Sequence, residues 1–156
     1  MTSVPLKFGD FVWTLFPFDD APEIPGPLPH AACVISVFKT REASRITTAK
    51  VPSQGLVVGV YTSSQIGKFG PRLPIGVIQV SKERATLAGQ RKPFFIDVRK
   101  RAFIPFTREF FPRIDEPRHG IIGPADKTLA KEIFRQFQLV NERYSESILN
   151  LGPLRP

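Results

Sequence analysis

The chain has 156 residues, which suits one domain with a single core, and it carries a net charge of +8 at pH 7. One cysteine excludes an internal disulfide, the start of the chain lacks a signal-peptide core, and no apolar run reaches the roughly 18 residues of a membrane helix. A cytoplasmic protein with no membrane role is the expectation. Sixteen prolines and eleven glycines argue against a helical protein, because proline removes a backbone donor and breaks helices, while fourteen phenylalanines supply ample apolar bulk.

In chain order, residues 8–16 read as an aromatic and β-branched strand with Gly9-Asp10 at its entrance. Residues 17–29 hold Pro17, Pro22, Pro25, Pro27 and Pro29 and form a loop. Residues 31–38 are a continuous apolar run, the pattern of a strand buried on both faces. Cys33 lies inside that run and reads as a packed, inert thiol. Further strands are expected over residues 45–51, 55–62 and 75–80, with a turn-rich loop over 67–74. Residues 94–98 and 102–106 are two more strands, or one bent strand divided by charged residues. Leu129, Ala130, Ile133, Phe134, Phe137 and Val140 recur at helical spacing, and Gly123-Pro124 stands where proline starts helices well. The domain is therefore read as residues 1–143, with a polar tail over 144–156. Many short strands between Pro/Gly turns, closed by one helix, point to a small β-barrel.

The cations crowd the second half, as in Lys82, Arg84, Arg91-Lys92 and Arg99-Lys100-Arg101, and the acids Asp19, Asp20 and Glu23 fall in the proline-rich loop. Such a balance fits nucleic acid or an acidic protein partner, and equally an ordinary solvated face. There is no Walker-type loop or dinucleotide fingerprint, no nucleophile elbow, and one Cys with two distant His does not make a structural zinc site.

Several segments, in order, resemble the MazF/PemK (Kid) family of toxin endoribonucleases. They are Phe8-Gly9-Asp10-Phe11-Val12-Trp13, the loop exit and strand over 26–36, Val60-Tyr61-Thr62-Ser63, the strand 94–97 ending in Asp97, and the turn and helix over 120–137. The resemblance implies a mainly β, SH3-like small barrel of the plasmid-maintenance toxin type with a C-terminal α-helix, usually a homodimer. It implies cleavage of single-stranded RNA with no metal or cofactor, and silencing by an acidic antitoxin protein whose tail fills the RNA groove.

That chemistry needs a base for the ribose 2′-OH, a proton for the leaving 5′-oxygen, and cations or donors for the phosphorane charge. Mapped by the resemblance, Thr62 and Ser63 hold the phosphate, His30 handles a proton and Asp97 orients or assists transfer; from the residues alone, Thr62-Ser63 reads as a strand end capping its own turn, and Asp97 equally as a strand-end partner for Arg99 or Lys100. His30-Ala31 stands where the family has an Arg-Pro pair, and Phe95 where it often has a cation, so a permanent charge and its phosphate-gripping fork are missing. Lys68, Arg72, Arg91 and Lys92 are the candidate RNA-binding cations; Phe69 between the first two adds a stacking surface. The acids Asp19, Asp20 and Glu23 of the proline-rich loop read as solvating that loop or as including a general base. His119, in an Arg-His-Gly turn, has no counterpart. The alternative reading is a relative of the same barrel kept for binding or regulation after catalysis was lost.

Overall fold

A computed structural model describes residues 4–17, 21, 24–39 and 55–143, and of Ile66, Lys68, Glu142 and Arg143 the backbone alone. The expected strand over 45–51, the acids Asp19, Asp20 and Glu23, and the tail 144–156 lie outside the described residues. The strands are β1 (Asp10–Thr14), β2 (His30–Phe38), β3 (Leu56–Ser63), β4 (Val77–Val80), β5 (Phe94–Pro105) and β6 (Ile121–Pro124). The helices are α1 (Lys82–Leu87) and α2 (Lys127–Arg143), with a single 3-10 turn over Ile66–Phe69. All strand pairs are antiparallel and form one six-stranded sheet in the order β4-β5-β3-β2-β1-β6. The sheet is open, with β4 and β6 as its edges.

Both faces of this sheet are covered, which is why β2 and β3 read as unbroken apolar runs rather than as alternating ones. One core joins Val12, Val34, Val57 and Ile104 to Phe106, Phe110 and Phe111 from the segment after β5. The other joins Phe11, Cys33, Val60 and Ile96 to Ala85 of α1 and to Leu129, Ile133 and Val140 of α2. Neighbours Phe11 and Val12 thus serve opposite cores, as the two-residue period of a strand requires. Each fully buried side chain of this size stabilises by about 1.5–3 kcal/mol.

Phe94–Pro105 form one strand, β5, and Phe106 follows it. Across the β3–β5 ladder Val60 pairs with Arg101 but Tyr61 pairs with Asp97, so β5 bulges between them. The bulge lets one strand feed both cores: Phe94, Ile96 and Val98 pack on the helix side, and Ala102 and Ile104 on the other, where Phe106 joins them from just beyond the strand. Such bulges sharpen local twist, and this one bends the longest strand of the sheet.

Two elements were not legible in the sequence. Helix α1 occupies part of the basic cluster; the Ser81 hydroxyl accepts the Arg84 N–H at 3.4 Å, and Ala85 is its fully buried contact. Strand β6 is only four residues long. Pro124 ends β6, where it pairs with Asp10, and does not start the helix. The cap of α2 is Asp126, whose Oδ1 accepts the Leu129 N–H at 2.8 Å. That hydrogen bond, helped by Arg84, holds the Asp126 carboxyl below the usual carboxylate range. On α2 itself Leu129, Ile133 and Val140 are fully buried, but Phe134 is 54% exposed, off the stripe the spacing assigned it to. No helix among the described residues is long and apolar enough to cross a membrane.

Candidate functional site

The site lies where β2 begins and β3 ends. Register fixes it: Thr14 of β1 pairs with His30, Trp13 with Ala31, and Ala32 with Tyr61 one strand further. The third wall comes from the exit of α1. Gly89 takes a φ of +78°, and a Cβ there would run into the Ile122 carbonyl oxygen. A Cβ on Gly123 would lie 2.5 Å from the Ala88 carbonyl oxygen. Only glycines allow the α1 turn to press against β6 in this way. The close approach sets Gln90, Arg91 and Lys92 beside β6 and therefore beside β1.

The result is a cleft of about 540 Å³ lined by His30, Thr62, Ser63, Arg91 and Lys92 together with Trp13 and Ile122. Of the residues singled out by sequence, these five come together. Asp97 is not among the lining residues. It is 3% exposed and accepts from Arg99 Nε at 2.9 Å, Arg99 Nη2 at 3.0 Å and the Arg99 N–H at 3.1 Å. Arg99 in turn lies 5.8 Å from the Phe69 ring, and Phe69 meets Phe95 edge-on at 5.2 Å. Asp97 thus anchors a paired cluster with the loop after β3. Arg72 is exposed and lines no part of the cleft; the Lys68 backbone lies in the 3-10 turn.

His30 is half-buried, its ring packed against Tyr61 with centroids 5.3 Å apart. Burial lowers its pKa below the ordinary 6.5, so the imidazole is neutral at pH 7 and has a lone pair to offer. The Thr62 hydroxyl, 4% exposed, donates to the Ala31 carbonyl oxygen and ties β3 to β2. Ser63 Oγ accepts the Gln65 N–H at 3.2 Å, closing the turn after β3, and keeps its own proton to give. Arg91 and Lys92 are exposed and enter no ion pair among the described residues. Gln90 Nε2 is buried in the cleft wall without a hydrogen-bond partner. The arrangement offers one neutral base, two unpaired cations and a spare amide around an open volume.

Cys33 is fully buried, and burial with the Asp10 carboxylate nearby pushes its thiol far up, so it is inert. His119 sits in a tight turn at φ +56°, its Nδ1 2.9 Å from the Ile114 carbonyl oxygen. Among the described residues no group of three or more His, Cys, Asp or Glu could hold a metal ion. Sequence reasoning used Trp13 as a strand marker and missed its place in the cleft. Gln90 carried no signal, because its role depends on the unforeseen helix α1. Compared with models of protein families the chain matches none, and no curated protein matches it significantly.

Proposed function

We propose that this protein is a MazF/PemK-like endoribonuclease that cleaves single-stranded RNA in the cleft between His30 and Lys92. The observation that carries the reading is the convergence of a neutral, half-buried His30 with Thr62, Ser63, Arg91 and Lys92 around one open volume. On this reading the open six-stranded sheet with a helix packed on one face is an SH3-like barrel, with α1 spanning the gap between its edge strands.

In the proposed reaction His30 takes the proton of the ribose 2′-OH, and the freed oxygen attacks the adjacent phosphorus. The bond from phosphorus to the 5′-oxygen breaks, that oxygen takes a proton from water, and the hydroxide left behind takes the proton from His30, which returns to its neutral form. The products are a 2′,3′-cyclic phosphate and a 5′-hydroxyl end. Arg91 and Lys92 take over the phosphate-binding charge that the family draws from its Arg-Pro pair. Ser63 has a proton free for a phosphate oxygen, whereas Thr62 gives its own to Ala31 and acts through backbone position. Asp97, locked to Arg99, has no part in proton transfer. An acidic antitoxin would silence the enzyme by occupying the same cationic cleft, and a homodimer is the expected assembly.

The commitment of the Thr62 hydroxyl to Ala31 favours a second reading, in which the cleft binds RNA without cutting it. Incubating the full chain with a long single-stranded RNA at low salt, and mapping the ends, separates the two. Cyclic-phosphate and 5′-hydroxyl ends that vanish in His30→Ala support the nuclease. Binding without new ends supports the second reading.

A further inference from the structure

The cleft does not stop at Trp13. A second cavity of about 430 Å³ adjoins it, lined by Arg113, Glu116, Arg118 and Ile121, and the two cavities share Trp13 and Ile122. The loop that forms the second cavity is held in shape. His119 and Gly120 both take positive φ, the Gly120 carbonyl accepts the Trp13 N–H at 3.0 Å, and Ile114 packs on the first core. Among the residues that line the cavity, Glu116 is matched by Arg113 at 3.8 Å, and Arg118 is exposed with no ion pair among the described residues. The Arg113 guanidinium lies 5.4 Å from the centroid of the Trp13 ring, which stays half-exposed.

A partly buried indole shared by two cavities, each with an exposed arginine (Arg91 in one, Arg118 in the other), is suited to an unpaired base flanked by phosphates on either side. A duplex keeps its bases stacked inside and cannot offer one. We infer that the RNA strand continues from the His30 cleft across Trp13 into the second cavity. One base stacks on Trp13, and Arg118 holds the phosphate that follows. This rests on the proposed RNA reading and extends it: the protein recognises a stretch of several single-stranded nucleotides rather than one scissile step.

Trp13 is the only tryptophan of the chain, so its fluorescence reports this contact directly. The experiment titrates the full chain with fluorescein-labelled RNA of three and of nine nucleotides, and with a nine-base-pair RNA duplex, following indole emission and anisotropy together. To keep the RNA intact, the ribose at each step is 2′-O-methylated. The nine-nucleotide strand is expected to quench Trp13 and to bind about tenfold or more tightly than the trinucleotide. Arg118→Ala, a surface change, is expected to remove most of that length advantage and leave the trinucleotide unaffected. Trp13→Ala is expected to weaken the longer strand about tenfold or more, with Trp13→Phe restoring much of the loss. Binding of the nine-mer with no quenching and no effect of Arg118→Ala overturns the second cavity while leaving the His30 cleft standing. No binding of any strand overturns both. Quenching by an acidic peptide such as oligoglutamate, but by none of the RNAs, assigns the cavity to a protein partner and also overturns the inference.

Discussion

Two charged regions border β5 and its neighbours, and they are built in opposite ways. On the side of the 3-10 turn and α2 the charges are satisfied or sealed. Asp97 is clasped by Arg99, and Arg101 is buried at 4% exposure over the Phe137 ring at 4.5 Å, with Nη1 2.7 Å from Asn141 Oδ1. Around the cleft the charges are left open: Arg91 and Lys92 stand exposed without counter-ions among the described residues, and His30 is neutral beside them. The same residue types appear in both places. Pairing and exposure, which sequence does not display, decide which set serves the fold and which is available to a ligand.

The largest expected effect that sharpens this contrast is on His30. Replacing a proton-transferring side chain costs roughly 10²–10⁴-fold in rate, so His30→Ala is expected to lose cleavage by that factor while keeping its melting temperature. The pH profile carries the same signature. Because burial lowers the folded pKa of His30 below 6.5, activity is expected to hold at pH 6.5 and fall only at a more acidic pH. Stability follows the same sign. As pH falls through 6.5 the unfolded chain takes up the proton first, so the folded state loses stability from there down to the folded pKa. A rate that falls off with a midpoint above 6.5 would break the assignment.

Next in size is the open cation pair. Removing two phosphate contacts from a single strand is expected to flatten the salt dependence of binding by about 1.4 in the log–log slope. Arg91→Ala with Lys92→Ala, measured by RNA anisotropy between low and physiological salt, gives that slope. An unchanged slope would place the strand elsewhere.

The paired region should respond in stability and not in RNA binding. Asp97→Asn keeps the shape but removes the carboxylate charge facing Arg99. The arginine is about a third exposed, so solvent tempers the loss, and about 1–2 kcal/mol by urea unfolding is expected, with RNA affinity unchanged. Loss of cleavage with stability intact would move Asp97 back into the reaction.

The smallest effect is expected at Arg101, whose Nε and Nη2 are buried without partners and whose charge is disfavoured by burial. Exchanging such a group for an apolar one of similar length is often neutral or stabilising. Arg101→Met is therefore expected to leave the unfolding midpoint unchanged or raised, and a loss of several kcal/mol would show that the guanidinium is bound more fully than its described contacts provide.

Much of the sheet was readable from residue pattern, since runs such as 31–38 and 55–62 have few ways to be buried other than as central strands. The elements that escaped were those whose signal is short or displaced. Helix α1 hides among surface charges with Ala85 as its one buried residue, and β6 is too brief to show a period. For the site, His30, Thr62 and Ser63 were found because strand ends place them, and Arg91-Lys92 because they form a cationic pair. The pairing of Asp97 was legible as one of two readings, because Arg99 is two residues away on the same face of β5; the bulge that follows was not, being a property of the ladder and not of composition.

The most direct test is end-mapping of a long single-stranded RNA incubated at low salt with the full chain and with His30→Ala. New 2′,3′-cyclic phosphate and 5′-hydroxyl ends with the native protein, lost with His30→Ala while RNA binding persists, are the expected result. Equal cleavage by both proteins, or no cleavage by the native one, would contradict the role of His30 as the base of an RNA-cutting cleft.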